Sequence, residues 1–254
     1  MRAHDKRNFV VHLTWDDVDA RVAQGAAAIV PVGAGAKQHG FHLPMNTDQI
    51  AAEYLSARLA DRIDALIWPT VTYGYYPAFT EYTGSISLSA STFETMIQEI
   101  LLALIRHKAS QIFVLDTGIS TVPAIRRVLE KVASDCILHL PVHSGENYRR
   151  AISQASKQSY GGHADEVESA LMLALKPEIV DMARAEASPL SSRDAQDPLT
   201  PHDPNSAAYS RSGSFGDPTL ATREQGQIFL AAIMDDLLTQ IETFRRSSDR
   251  RQMR

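Results

Sequence analysis

Four short, almost wholly apolar segments rich in β-branched residues constrain the fold of this chain more than any other feature. They occupy residues 27–32, 65–71, 111–115 and 136–142. Segments with apolar residues at three-to-four spacing alternate with them and predict helices over 48–61, 91–107, 122–133, 166–175 and 222–244. A strand that is apolar along its whole length is typical of a sheet covered on both faces. The alternation therefore predicts an α/β fold with a largely parallel sheet.

Two segments depart from this pattern. Residues 187–217 are dense in Ser, Pro, Asp and Asn and have almost no apolar periodicity, which predicts a long surface loop. Loops of this length in compact domains are often lids, binding loops or interface arms. Residues 245–254 contain five arginines and one aspartate, and we expect this basic tail to be solvated and disordered.

Composition narrows the classes of protein to consider. The chain carries 25 Lys and Arg against 30 Asp and Glu, a net charge of −5, which argues against a protein that coats nucleic acid. Its one cysteine, Cys136, cannot form an internal disulfide, so nothing points to an oxidising compartment. No apolar run has the length of a signal peptide core or a membrane span. We expect a soluble, cytoplasmic protein without nucleic-acid or membrane partners.

Candidate ligands follow the first predicted strand, at the end where open α/β sheets bind their ligands. Lys37, His39, His42 and Asp48 fall within twelve residues of one another. Histidine and aspartate are ordinary ligands of zinc and manganese. Paired histidines in loops are also often plain polar surface, so the spacing alone leaves a metal site and a polar loop both open.

A second cluster lies at the start of the helix predicted from residue 166. It contains His163, Asp165, Glu166 and Glu168. Acidic residues in the first turn of a helix are favoured by the helix dipole whatever else they do. However, His163 lies three residues before Glu166, and one helical turn would place the two side chains on the same face. A ligand pair and a simple helix start therefore both remain open.

Four stretches, in the same order, resemble the motifs of a known family. Residues 31–48 resemble P-V-G-[ST]-x-E-Q-H-G-x-H-L-P-x-x-T-D, with one additional residue between Gly33 and Lys37. Residues 73–88 resemble Y-G…P-G-T-I-S-L, 163–169 resemble H-A-G-E-x-E-T-S, and 213–226 resemble G-x-x-G-D-P-x-x-A-T-x-E-x-G. On these motifs the chain resembles the creatininase family of creatinine amidohydrolase-like metal enzymes over residues 14–244. The resemblance implies a three-layer α/β/α sandwich, a single domain over residues 1–244, and a homo-oligomer, commonly a hexamer.

The resemblance also implies a two-metal site, of which this chain keeps one half. It assigns one ion to His39, Asp48 and Glu166, and this ion would activate water for attack on an amide-like carbon. The glutamate and histidine that belong only to the other ion are replaced by Lys37 and Gly118. We therefore expect one divalent ion, which is zinc, manganese or iron.

Four residues near the altered half could still carry chemistry. Asp116 aligns beside the lost histidine, at the end of a predicted strand, and could reach a metal. Lys37 would either fill the vacated space and pair with Asp48, or act as a base or nucleophile. His42 and His163 are candidates for acid–base catalysis beside the retained site.

These residues predict a function with two alternatives. The first expectation is a metal-dependent amidohydrolase that cleaves a C–N bond of a small linear or cyclic amide with one ion. The alternatives are lyase or isomerase chemistry at Lys37, and a non-catalytic relative that binds a small molecule. Phe79 stands at the spacing of a further family histidine, so we expect changed substrate contacts.

Overall fold

A computed structural model gives the fold and describes residues 6–188, 190 and 198–252. The strands are β1 (Ala27–Val32), β2 (Ala65–Ile67), β3 (Ile112–Asp116) and β4 (Ile137–Pro141). The longer helices are α1 (Trp15–Ala23), α2 (Thr47–Ala60), α3 (Ala90–Arg106), α4 (Thr121–Val132), α5 (Glu146–Ala155), α6 (Glu166–Leu175) and α7 (Arg223–Gln252). The strands form one parallel sheet in the order β2-β1-β3-β4.

Helices cover both faces of this sheet, as the wholly apolar strands require. On one face, α3 and α4 bury Phe93 and Ile125 against alternate residues of β1 and β3. On the other face, α2, α5, α6 and α7 surround Phe113 and Phe229, both of which are fully buried. The expected three-layer α/β/α sandwich with a parallel sheet is confirmed.

One predicted strand is shorter than its apolar run. The run over residues 65–71 predicts a strand along its whole length, but β2 ends at Ile67. Pro69 has no N–H with which to continue the ladder. Val71 keeps a single bridge to Val32 of β1, so the chain stays beside the sheet edge without extending it.

The basic C-terminal segment differs from the disordered tail that its composition predicts. Helix α7 continues through Gln252, and residues 253–254 lie outside the described residues. Arg245 anchors this part of the helix, because its Nε donates to Gln111 Oε1 over 2.9 Å just before β3. Glu242 and Arg246 add an ion pair one turn apart at 3.5 Å. These contacts hold the first two residues of the segment in the helix, and the exposed ion pair adds only a little.

The described part of segment 187–217 is not only surface. Leu199 is fully buried among aromatic side chains that include Tyr76 and Phe79, and its N–H donates to the Ala78 carbonyl over 2.8 Å. Residues 189 and 191–197 of this predicted loop lie outside the described residues. The segment thus covers the region around Phe79, which lies in the candidate site. Across the described ranges, the helices are all too short or too polar to span a bilayer.

Candidate functional site

The loop after β1 brings three side chains of the first cluster together at the carboxyl edge of the sheet. Gly33 directly follows β1, and a Cβ at this position would come within 2.5 Å of the Asp48 carbonyl oxygen. The absence of a side chain at Gly33 therefore allows the first turn of α2 to approach β1. The Asp48 carboxylate, in that turn, contacts both Lys37 and His39 of the loop.

Lys37 and Asp48 form a buried ion pair. Lys37 Nζ lies 2.7 Å from Asp48 Oδ2, and the two side chains are only 7% and 5% exposed. The ammonium also lies 5.5 Å from the ring centroid of Tyr76 and 5.2 Å from that of Phe79. Burial alone would raise the pKa of Asp48, but the charges and hydrogen bonds of Lys37 and His39 hold that pKa well below its usual range.

Hydrogen bonds define which nitrogen of His39 faces the site. His39 Nδ1 lies 2.8 Å from the Lys37 carbonyl oxygen. A carbonyl only accepts, so Nδ1 carries the proton and donates. The other nitrogen, Nε2, faces Asp48 Oδ1 at 3.1 Å, and the imidazole is completely buried. This nitrogen is left to bind a cation, either a proton or a metal ion.

His163 is oriented in the same way. Its Nε2 lies 2.8 Å from the Gln38 carbonyl oxygen and donates to it, so Nδ1 carries the lone pair. Nδ1 lies 3.6 Å from Glu168 Oε2. Burial, with the positive charges of Lys37 and His39, lowers the pKa of His163 well below its usual value. The imidazole is therefore neutral at neutral pH and can act as a ligand.

The two histidines and Glu168 converge. One ligand atom from each of His39, His163 and Glu168 lies within 4.8 Å of the other two, and the two imidazole centroids are 4.9 Å apart. Metal-binding histidines typically donate their second N–H to a carbonyl or carboxylate, which fixes the ring. Both histidines have such an acceptor here. Two imidazoles and one carboxylate are a donor set that suits zinc and other first-row divalent ions.

Comparison with known proteins identifies the family of the chain. Residues 11–241 match the creatininase family model, which is described as creatinine amidohydrolase. The chain belongs to the creatininase family. This agrees with the resemblance carried by its four sequence motifs.

Relatives of known activity and solved structures support the assignment. The chain is 30% identical over 244 residues to a creatinine amidohydrolase of Pseudomonas putida, covering 89% of this chain and 92% of that protein. It is 26% identical to a mycofactocin precursor peptide peptidase of Mycobacterium ulcerans, covering 84% and 83% of the two chains. A structure of a manganese creatininase aligns with a TM-score of 0.78 at 29% identity, over 93% of this chain and 98% of that one.

A second structure comes from a mutant creatininase in a form with two zinc ions. It aligns with a TM-score of 0.78 at 28% identity, over 94% of this chain and 99% of that one. Both relatives named above are hydrolases that act on C–N bonds. The alignments with these creatininase structures therefore cover nearly the whole chain.

The creatininase resemblance assigns Glu166 to the metal with His39 and Asp48, but the structure brings only the latter two together. The Glu166 carboxylate is fully buried and accepts hydrogen bonds from four donors elsewhere. These donors are Ser156 Oγ at 2.6 Å, the N–H groups of Lys157 and Gln158 at 2.8 Å, and Gln225 Nε2 at 2.5 Å. Glu166 thus joins the segment after α5 to the start of α7.

Asp116 is also committed to other partners. Its Oδ1 accepts from Gly118 N over 3.0 Å and from Thr121 Oγ1 over 2.7 Å, while Oδ2 faces His139 Nε2 at 3.1 Å. The carboxylate stabilises the turn between β3 and α4, in which Gly118 stands where the resemblance expects a histidine. The described ligand cluster does not include Asp116.

His42, the remaining acid–base candidate, is buried beside the cluster. Its Nε2 lies 2.7 Å from Ser169 Oγ, and the whole residue is 2% exposed. Burial, followed by the charge of His39, lowers the pKa of His42 to about 4. Its neutral form packs against α6 and connects the loop after β1 to that helix.

A cleft beside the cluster contains residues that the sequence motifs do not single out. It has a volume of about 320 Å³ and is lined by Glu168 together with His143 and Tyr148. His143 follows β4 at the carboxyl edge of the sheet. Because open α/β sheets bind ligands at this edge, the same reasoning that selected the loop after β1 could also have identified His143. Tyr148 lies in α5, which the sequence analysis does not predict.

Proposed function

We propose that the protein hydrolyses a C–N bond in a small linear or cyclic amide with one divalent ion held by His39, His163 and Glu168. The supporting observation is the orientation of the two histidines. His39 Nδ1 donates to the Lys37 carbonyl, and His163 Nε2 donates to the Gln38 carbonyl. Their remaining nitrogens are thereby directed toward carboxylates. When bound, a divalent ion supplies the Lewis acidity that activates water and polarises a carbonyl.

The residues of this chain prepare the site in three ways. Burial keeps His163 neutral, and the Phe79 ring packs against the imidazole at a tilt of 39° with centroids 4.1 Å apart, which restricts its orientation. Asp48 Oδ1 contacts His39, while Asp48 Oδ2 is held by Lys37. The paired ammonium is a positive charge on a side chain that is only 7% exposed, where it stabilises negative charge more strongly than it would in solvent.

Chemistry through Lys37 as a nucleophile has less support. Its ammonium is held 2.7 Å from a buried carboxylate and enclosed by Tyr76 and Phe79. A nucleophilic lysine must turn its nitrogen toward the substrate, whereas Lys37 Nζ faces the Asp48 carboxylate. The geometry therefore favours Lys37 as a fixed cation that neutralises one side of Asp48.

Metal analysis with matched variants tests the proposal. The purified protein should contain one equivalent of zinc, manganese or iron, and should release ammonia or amine from members of a panel of small amides and lactams. Chelation should abolish turnover and the same metal should restore it. Glu168→Gln should lower metal affinity at least about tenfold. Glu178→Gln, at an exposed position, is the matched control and should retain the metal.

Three results would contradict the proposal. Two equivalents of tightly bound metal would exclude the single-ion site, and full turnover after exhaustive chelation would exclude metal dependence. Unchanged metal affinity in both Glu168→Gln and His163→Gln would exclude this ligand set. Reduction with borohydride in the presence of a carbonyl substrate, followed by a mass increase at Lys37, would instead support the lysine chemistry.

A further inference from the structure

The cleft beside Glu168 has the dimensions of a site for a small molecule. Its volume of about 320 Å³ is at the lower end of the range found for ligand pockets. Ile119 and Tyr160 contribute apolar surface, and Gly161 and Gly162 keep one wall close to the backbone. Because Glu168 belongs both to this cleft and to the histidine cluster, a ligand in the cleft lies beside the proposed metal ligands.

Most polar side chains in the cleft wall are already committed to internal hydrogen bonds. Ser156 Oγ donates to Glu166, and Gln158 Nε2 donates to Asp165 Oδ2 over 2.7 Å. Asp165 Oδ1 accepts from the N–H groups of Val167 and Glu168 at the start of α6. These groups shape the wall, but their hydrogen-bonding capacity is largely used.

His143 and Tyr148 differ from these groups because their hydrogen bonds determine what they can offer to a ligand. His143 Nε2 lies 2.9 Å from the Thr117 carbonyl oxygen and must donate to it. In the neutral imidazole, Nδ1 is then an acceptor, and the Tyr148 hydroxyl donates to it over 3.3 Å. The proton of Tyr148 is therefore committed, and its oxygen has only lone pairs to offer.

Negative charge reinforces this preference. Burial, together with the carboxylates of Asp165 and Glu168, raises the pKa of Tyr148, so the phenol stays protonated. Both carboxylates line the same cleft. When no ion is bound to Glu168, a ligand that brings N–H donors and positive charge would be favoured here, and a ligand with a carboxylate would meet acceptors and like charge.

We propose that Tyr148 is a specificity-determining residue, whose oxygen accepts a hydrogen bond from an N–H group of an amidinium-like or amine-bearing substrate. His143 is the positioning residue that holds the phenol proton away from the ligand. This inference rests on the proposed function, because the cleft would hold the substrate that is hydrolysed at the adjacent metal cluster. Binding in the cleft can nevertheless be measured without turnover.

Three isosteric probes test the inference: acetamidinium, acetamide and acetate. Their affinities can be measured by chemical-shift titration of ¹³C-tyrosine-labelled protein, both as purified and after chelation. After chelation, the wild type should bind acetamidinium most tightly and acetate most weakly. Tyr148→Phe keeps the ring but removes the acceptor, and should weaken acetamidinium binding about tenfold. The exposed Tyr73→Phe is the matched control and should bind like the wild type.

A second variant separates positioning from general damage to the cleft. His143→Leu frees the Tyr148 proton to turn toward a ligand, so the preference for acetamidinium over acetate should fall about tenfold. The double variant Tyr148→Phe/His143→Leu should show the same preference as Tyr148→Phe alone. Equal binding of the three probes by the wild type would overturn the inference, as would unchanged acetamidinium affinity in Tyr148→Phe. Purified protein that contains no metal but shows normal probe selectivity would instead count against the proposed hydrolysis alone.

Discussion

Lys37 Nζ lies 2.7 Å from Asp48 Oδ2, and both side chains are almost completely buried. Desolvation of two charges is costly, and their attraction offsets that cost only when both are present. Each of the two buried charges is therefore stabilised by the other. The pair also leaves Asp48 Oδ1 for His39, so the carboxylate links the fixed cation to the proposed metal cluster.

Removing only the lysine charge should destabilise the fold. Lys37→Met leaves a buried, unpaired carboxylate, and we expect the free energy of unfolding to fall by about 3 kcal/mol. The double variant Lys37→Met/Asp48→Asn should regain most of that loss, because no charge is then left unpaired. Urea unfolding with a chelator present measures both. Equal stability of Lys37→Met and the wild type would show that the pair contributes little.

Glu166 and Glu168 lie two residues apart but have different surroundings, which predicts opposite phenotypes. Glu166→Gln would turn an amide N–H₂ toward groups that donate to Glu166, and should cost about 2 kcal/mol of stability while metal affinity is kept. Glu168→Gln keeps an amide oxygen that can accept from the Ala164 N–H, as Glu168 Oε2 does over 2.6 Å, so it should change stability little and lose metal affinity. Thermal unfolding and metal titration of the two variants make the comparison. If Glu166→Gln instead lost metal affinity and Glu168→Gln kept it, Glu166 and not Glu168 would be the metal ligand.

The difference between these two glutamates shows where sequence reasoning reached its limit. The spacing of His163 and Glu166 suggests a shared helix face only if both lie in the helix. Helix α6 begins at Glu166, Asp165 caps it, and Ala164 has a left-handed backbone with φ of 45°. His163 therefore lies outside the helix, and the three-residue spacing does not apply. The start of this helix at Glu166 was predicted correctly, and the error lay in applying helical spacing to a residue that precedes it.

Other parts of the structure followed directly from the sequence. The apolar runs located four strands, and Lys37, His39 and Asp48 were grouped because they follow the first of them. Tyr148 could not be found in this way, since α5 has low overall hydrophobicity and its position depends on α7. Contacts between elements far apart in sequence decide such placements, and periodicity within one segment carries no information about them.

Acid should destabilise the protein in part through His42. Its pKa is lowered from 6.5 to about 4 in the folded state, so the stabilisation is fully present above pH 6.5 and is lost as the pH falls through about 4. The loss is at most about 3 kcal/mol, and His163 acts with the same sign. His42→Gln keeps a polar partner for Ser169 and should show a shallower decline.

Unfolding free energies measured in urea at about pH 7, 5.5 and 4.5 test this expectation. Chelator should be present throughout so that metal loss does not contribute. The exposed His12→Gln is a control that should retain the wild-type pH dependence. Parallel curves for His42→Gln and the wild type would mean that His42 is not buried as the neutral imidazole.

The cleft also depends on a carboxylate outside it. Asp236 of α7 is buried and accepts hydrogen bonds from the N–H groups of Asn147 and Tyr148 over 3.1 and 2.8 Å, at the start of α5. Asp236 of α7 thus caps the N-terminus of α5. Gly145 leaves room for the Asp236 carboxylate, because a Cβ at position 145 would collide with it. Asp236→Ala should cost about 2 kcal/mol of stability.

The same change should also reach the cleft, because the capped N–H belongs to Tyr148. We expect Asp236→Ala to weaken acetamidinium binding by about threefold in protein that remains folded, as Tyr148 loses its fixed position. Asp235→Ala is the matched control, since the neighbouring side chain is exposed. Normal stability in Asp236→Ala would contradict the capping role. Normal acetamidinium binding in a destabilised variant would show that α5 holds Tyr148 without this cap.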